Sequence, residues 1–286
     1  MTRREMLAGA AVAGVALSPA TRAAVGAAKR AGVRVAMCDW SMGRTHVGAM
    51  ELAKGIGLDG VEVSIGFPAD NLQLRQPKVQ QAYLAAAKKH GLAMPSVAMG
   101  VLNNVPLMSE PKAALWVADT IDATRKLGAK VILLAFFGTG ELKEENKEDM
   151  RRVTEVVKEL APRAEKAGVV LGLETYLRAE ALISILDQVK SKAVQVYYDV
   201  YNAAHKKYDV LKEIRLLGRE RICQVHFKEG SNLLGAGKID WPAVAAELER
   251  IKYAGWLVLE TSSPNDVVKD TQTNLAYLRG LFDGDG

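Results

Sequence analysis

The sequence predicts a single-domain (β/α)8 TIM barrel, and three observations lead there. Eight short apolar runs recur every ~25–40 residues, the length of one strand-plus-helix unit. Patterns with one apolar face, at helical spacing, fill the intervals. No Pro/Ser linker or low-complexity tract divides the chain after about residue 30. Apolar runs alternating with amphipathic helices imply a parallel sheet covered by helices on its outer face. The 286 residues suit one such barrel, since barrels of ~250 residues run as one domain. An open doubly wound sheet is the alternative, but no Gly-rich phosphate fingerprint follows the first run.

The strand candidates are VRVAMCDW (33–40), GVEVSIG (60–66), AMPSVAMG (93–100), KVILLAFFG (130–138), VVLGLET (169–175), VQVYYDV (194–200), ICQVHFKE (222–229) and WLVLET (256–261). The clearest helix runs from Glu144 to Ala167. Met150, Val153, Val156, Val157 and Leu160 form its apolar stripe, and lysines and glutamates its solvated face. Gly91, Gly128 and Gly168 follow helical stretches, where a left-handed cap is expected. His90, Lys126 and Lys166 stand in last turns, where cations oppose the helix dipole. Trp241-Pro242 opens a further helix, because Pro suits a first turn.

The composition, 49% apolar and 25% charged, is that of an ordinary globular chain. The formal charge of +5 is spread among acidic residues rather than blocked, which argues against a nucleic-acid partner. Two cysteines, Cys38 and Cys223, make no disulfide framework. They fall in the first and seventh runs, which are not neighbours in an eight-stranded barrel, so two buried free thiols are expected. Residues 1–28 read as an export signal and linker, and 29–286 as the barrel. Arg3-Arg4 precedes the apolar stretch AGAAVAGVAL, which is too short to span a membrane, and Ser18-Pro19-Ala20 offers small residues for cleavage. This arrangement resembles a twin-arginine signal, with Met6 where Phe is common. Export to the periplasm or outside the cell is expected, with cleavage near Ala20 and no stable membrane span. The resemblance also implies transport of an already folded protein.

Four apolar runs break their character with one metal-capable side chain near the C-terminal end: Glu174 in VVLGLET, Asp199 in VQVYYDV, His226 in ICQVHFK and Glu260 in GWLVLET. Three carboxylates and an imidazole are a ligand set for a divalent cation such as Mn²⁺, Mg²⁺ or Co²⁺. In a parallel barrel the C-terminal strand ends build the active site. Any one of these acids could cap a helix or sit on a surface loop. Four on successive strands at similar depth point to one mouth. Period-2 alternation puts Gln224, His226 and Lys228 on one strand face, with Lys228 nearer the mouth.

The segments GLET, YYDVYN, VHFKE and LVLET, with GVEVS as weaker support, resemble the xylose isomerase-like barrel superfamily. The likeness is to its sugar phosphate isomerase/epimerase branch, which includes tagatose 3-epimerase and hydroxypyruvate isomerase, and it covers about residues 33–282. It implies one divalent metal, typically Mn²⁺, with Mg²⁺, Co²⁺ or Zn²⁺ as alternatives, held by Glu174, Asp199, His226 and Glu260. It implies isomerisation or epimerisation of an unphosphorylated ketose or aldose through a metal-stabilised enediolate, since an exported enzyme meets few sugar phosphates. Glu174 and Glu260 would share the proton transfer from opposite sides of the substrate, and Lys228 would stabilise the developing oxyanion. Glu62 and Asn202 are expected to meet sugar hydroxyls, and Trp40 an apolar sugar face. Asn202 stands where epimerases of this group often carry His; it can hydrogen-bond but not titrate. The loop SNLLGAGKIDW resembles the family's Gly-rich loop with a trailing Trp, against a plain surface turn.

Asp39, His46, Asn103, Asn104 and His205 read as structural. The alternatives are a keto-sugar or inositol-type dehydratase and a non-catalytic exported sugar-binding barrel. An abasic-site endonuclease of this fold would need several histidines at strand ends, and the chain has four in all. The expected partner is a small sugar. Relatives are often dimers or tetramers, so a homo-oligomer is also expected, but no interface is identified.

Overall fold

The computed structural model describes residues 33–282. The expected export signal over 1–28 lies outside the described residues. Eight strands form a closed, all-parallel barrel in chain order. They are β1 (Val35–Cys38), β2 (Gly60–Ser64), β3 (Ser96–Met99), β4 (Val131–Ala135), β5 (Val170–Glu174), β6 (Val194–Asp199), β7 (Ile222–Phe227) and β8 (Leu257–Leu259). Closure comes from β1 against β8, with Val35 opposite Leu257 and Met37 opposite Leu259. Each of the eight predicted runs contains one strand.

The helices are α1 (Ala49–Ile56), α2 (Pro77–His90), α3 (Pro111–Leu127), α4 (Lys147–Ala167), α5 (Ala179–Val189), α6 (Val200–His205), α7 (Val210–Arg221), α8 (Trp241–Arg250) and α9 (Val267–Phe282). Gly91, Gly128 and Gly168 end α2, α3 and α4 at φ of 65°, 75° and 65°, as expected of left-handed caps. The start of α4 corrects the expectation of Glu144. Asn146 caps the helix by accepting from the Asp149 amide at 3.2 Å, so the first turn begins at Lys147. The buried stripe of α4 is also rotated. Val153, Val157, Ala161 and Ala164 are buried, whereas Met150, Val156 and Leu160 are half-buried along its flanks. Among the described residues no helix is long and apolar enough to cross a membrane.

Period-2 alternation divides the strand side chains between two cores. Val35, Met37, Val61, Val63, Val97, Ile132, Leu134, Leu171, Leu173, Val225 and Phe227 join the main cluster between sheet and helices. Ala36, Cys38 and Val258, with Ala98, Leu133, Ala135 and Tyr197, face the barrel axis. The axial set is mostly small, which leaves room for the polar side chains Glu62, Ser96, Gln224 and His226, all at least 99% buried. Cys38 is buried as expected. Cys223 is half-buried, because the register of β6 on β7 slips beside it, and its thiol donates to the Val196 carbonyl at 3.2 Å.

Candidate active site

Glu174 and Asp199 are the last residues of β5 and β6, His226 is the last but one of β7, and Glu260 directly follows β8. The imidazole of His226 is fully buried and stands at the centre of the set. Its Nδ1 lies 2.9 Å from Glu174 Oε1, 3.4 Å from Glu260 Oε2 and 3.8 Å from Asp199 Oδ2. One ligand atom from each of the four residues fits within 4.8 Å of all the others. The structure thus brings together all four predicted ligands. Lys228, one layer nearer the mouth, bridges Asp199 Oδ2 at 2.9 Å and Glu260 Oε2 at 2.7 Å. The Trp40 indole donates to Glu260 Oε1 at 3.2 Å and stands edge-on to His226.

The charges in this space do not balance. Three carboxylates share this space with one ammonium and one imidazole, so carboxylates outnumber the cations. Burial foremost, then Glu260 and Asp199 nearby, pushes Glu174 up to about 7 against the pull of His226. Burial likewise raises Asp199, with Lys228 opposing. Burial would raise Glu260 too, but His226 and Lys228 hold it well below the usual carboxylate range. Burial disfavours the charged form of Lys228, yet Asp199 and Glu260 outweigh it and hold the ammonium charged. Asp199 Oδ2 is buried and, despite its ion pair with Lys228, receives no aligned hydrogen bond. Burial would lower His226, but Tyr197, Cys38, Glu174 and Glu260 around it hold it well above the ordinary imidazole range. An oxygen-rich set of three carboxylates with an open acceptor fits a divalent cation.

Below the imidazole the arrangement is different. His226 Nε2 lies 3.3 Å from Glu62 Oε1 and 3.4 Å from Cys38 Sγ. The other Glu62 oxygen accepts from Tyr197 at 2.5 Å, from Gln224 at 3.4 Å and from Ser96. Gln224 also bonds Ser96 at 2.7 Å and the Tyr197 hydroxyl at 2.9 Å. Glu62 is therefore not at the mouth: it is fully buried and its acceptors are taken. This corrects the expectation that it meets sugar hydroxyls. A carboxylate on Nε2 places the proton there and leaves the Nδ1 lone pair for a metal, the usual way a ligating imidazole is oriented.

Asn202 caps nothing with its side chain. Its amide N–H donates to Asp199 Oδ1 at 2.7 Å, and its side-chain Nδ2 is a buried donor without a protein partner. Asp39 is fully buried at the end of β1 and accepts from the Ser64 amide at 2.8 Å and hydroxyl at 2.5 Å. The Gly-rich loop before α8 folds onto Glu229, whose carboxylate accepts from the Gly235 amide, the Ile239 amide and the Trp241 indole at 2.8, 3.0 and 2.8 Å. A side chain at Gly237 would run into that carboxylate. Those glycines serve Glu229 rather than the barrel mouth.

Sequence reading missed Glu229, Tyr197 and Ser96. Tyr197 had a legible signal, since it precedes Asp199 by two on the same strand face, and a buried phenol needs a partner.

Comparison with known proteins agrees with this architecture. D-psicose 3-epimerase, in a crystal structure with D-fructose present, superposes with a TM-score of 0.75 at 16% identity, covering 88% of this chain and 100% of that one. A 2-epi-5-epi-valiolone 7-phosphate 2-epimerase of Actinoplanes sp. is 25% identical over 215 residues, 72% of this chain and 78% of the relative. A D-psicose 3-epimerase of Enterocloster bolteae is 24% identical over 231 residues, 74% of this chain and 75% of the relative. With a family match spanning residues 50–281, which takes in all four predicted ligands, the chain belongs to the xylose isomerase-like TIM barrel family.

Proposed function

We propose that the chain is a divalent-metal-dependent sugar isomerase or epimerase acting on an unphosphorylated ketose or aldose. One observation carries this reading: Glu174, Asp199, His226 and Glu260 converge at the catalytic mouth with their ligand atoms within 4.8 Å. Relatives named as D-psicose 3-epimerase and ketose 3-epimerase support it, and the relative named as a 2-epi-5-epi-valiolone 7-phosphate 2-epimerase supports the epimerase chemistry alone. When bound, a divalent cation, with Mn²⁺ the first choice, supplies Lewis-acid stabilisation of the substrate oxyanion.

The remaining work falls to the protein. Asp199 and His226 bind only. Glu174 and Glu260 also accept and return the carbon-bound proton, and return to the opposite face or to the neighbouring carbon separates epimerisation from isomerisation. Lys228, fixed by two carboxylates, presents its charge toward the developing oxyanion. Trp40 holds the Glu260 oxygen that Lys228 does not, and offers its ring to the sugar. Asn202 offers its unpartnered amide to a hydroxyl. Export by the twin-arginine-like segment is part of the proposal, and N-terminal analysis of secreted protein tests it: an intact Met1 refutes export.

The direct test incubates metal-loaded protein with free ketoses and aldoses in deuterated water. Deuterium is expected to enter at the carbon beside the carbonyl. Glu174→Gln and Glu260→Gln should each abolish exchange. Wild-type exchange in either variant, with metal content confirmed, would remove that glutamate from proton transfer. No exchange of any sugar at full metal occupancy would sink the reading.

A further inference from the structure

Beside the metal site, on the same face of the barrel, lies a groove of about 580 Å³. Its walls are the segments that follow three consecutive strands: Glu141–Lys147 after β4, Tyr176–Arg178 after β5 and Lys206–Tyr208 after β6 and α6. Tyr176 joins it to the catalytic mouth. It follows Glu174 by two residues, and with Leu177 and Tyr208 it also lines a small cavity bordered by Tyr197 and Asp199. The volume sits within the ~300–1,000 Å³ of clefts that take whole small molecules. It is space beyond what the reacting carbonyl and its neighbouring hydroxyl occupy at the four ligands.

The walls are braced to one another. The Tyr208 hydroxyl donates to the Tyr176 carbonyl at 3.0 Å. Lys206 pairs with Glu141 at 3.6 Å and stands 4.5 Å from the centre of the Tyr176 ring. Arg178 pairs with Glu144 at 2.9 Å and lies over the Tyr208 ring at 5.5 Å. Phe137, just after β4, supports Tyr176 edge-on at 4.8 Å. A groove held this way needs little reordering to receive a ligand.

Its charge indicates the ligand. Four cations, Lys143, Lys147, Arg178 and Lys206, share the lining with three carboxylates, Glu141, Glu144 and Glu145. A phosphate would face those carboxylates at close range, whereas anion sites gather arginines and backbone amides without acids. A neutral polyhydroxyl molecule uses donors and acceptors alike. Among the described residues the side chains of Lys143, Glu145 and Lys147 make no ion pair or hydrogen bond with protein, so they are open to hydroxyls.

We propose that this groove holds a second sugar ring, so that the preferred substrate is a glycosylated ketose or keto-glycoside rather than a free monosaccharide. This rests on the isomerase or epimerase reading of the metal site. The test compares metal-loaded protein acting on D-fructose and on glucosyl-fructoses with a free carbonyl, isomaltulose and leucrose, by deuterium uptake. The expected kcat/KM is tenfold or more higher for a disaccharide, mostly through KM. Lys206→Ala and Tyr176→Ala should bring the disaccharide-to-monosaccharide ratio down toward one.

Free fructose exchanging as well as both disaccharides would overturn the groove and leave the isomerase reading standing. No exchange of any sugar would overturn the isomerase reading. In that event saturation-transfer NMR with isomaltulose still decides the groove. Binding that Lys206→Ala weakens at least threefold supports it, and absent or unaltered binding refutes it. Phosphorylated fructose outcompeting the disaccharides would also refute it.

Discussion

His226 separates two buried polar clusters that share its imidazole and little else. On the Nε2 side, Cys38, Glu62, Ser96, Tyr197 and Gln224 form a mutually hydrogen-bonded network in which both Glu62 oxygens have partners. On the Nδ1 side, three carboxylates crowd around one lysine, and Asp199 Oδ2 and the neighbouring Asn202 Nδ2 lack hydrogen-bond partners. Burying an unmatched polar group costs free energy, so a fold retains it where a ligand completes it. The contrast teaches where to look for function. The satisfied cluster holds the imidazole; the unsatisfied one is where the proposed cation and substrate would bind.

The sharpest way to break that contrast is to neutralise the open cluster. Asp199→Asn should lower kcat/KM on the order of 10³-fold, because it weakens the hold on a cation whose Lewis-acid stabilisation is worth several kcal/mol. Steady-state deuterium exchange reads it, and a loss under fivefold would place Asp199 outside the working site. The second effect is thermal. A metal at 100 times its Kd contributes about 2.7 kcal/mol to the folded state, a rise in Tm of about 5 °C for a chain of this size. Mn²⁺ is expected to produce that rise in the wild-type protein, chelation to reverse it, and Asp199→Asn to abolish it. An equal rise in Asp199→Asn would show that the metal binds elsewhere.

Next in size comes the closed cluster. Glu62→Gln keeps the shape and most hydrogen bonds but removes the charge that orients His226. Partners of ligating residues of this kind are worth about 10–100-fold in metal affinity. Chelator competition should show that weakening. A plain stability loss with unchanged metal affinity would make Glu62 a structural brace only.

The sequence carried the open cluster well and the closed one poorly, for a reason visible in the strands. Glu174 and Asp199 end β5 and β6, Glu260 directly follows β8, and each breaks an apolar run where the barrel opens. Glu62 is the third residue of the five in β2, and Ser64, Ile65 and Gly66 still lie beyond it. Counting residues to the run's end would have put it a layer down. What could not be counted is the partner set, because Ser96, Tyr197 and Gln224 meet only when β3, β6 and β7 curve around one axis. The same holds for Glu229, whose three donors come from a loop that no periodicity describes. The stripe of α4 was legible in period but not in phase, since its flanks pack beside α3 and α5 as well as on the sheet.

Asn202 gives the smallest effect and the finest discrimination between the two clusters. Its Nδ2 is buried and unpartnered in the free protein, so Asn202→Ala removes a donor that stability does not use. Thermal stability is expected to stay within about 2 °C of wild type, a change of no more than about 1 kcal/mol for this size. If that donor meets a sugar hydroxyl, its loss should cost about 0.5–1.5 kcal/mol of transition-state binding, roughly two- to tenfold in kcat/KM. A loss in KM alone would mark contact with substrate and transition state alike, and a loss in kcat would mark a bond that tightens as the proton moves. The opposite pattern, a Tm lower by several degrees with kcat/KM unchanged, would move Asn202 into the satisfied cluster and leave Asp199 Oδ2 as the one open acceptor of that pair.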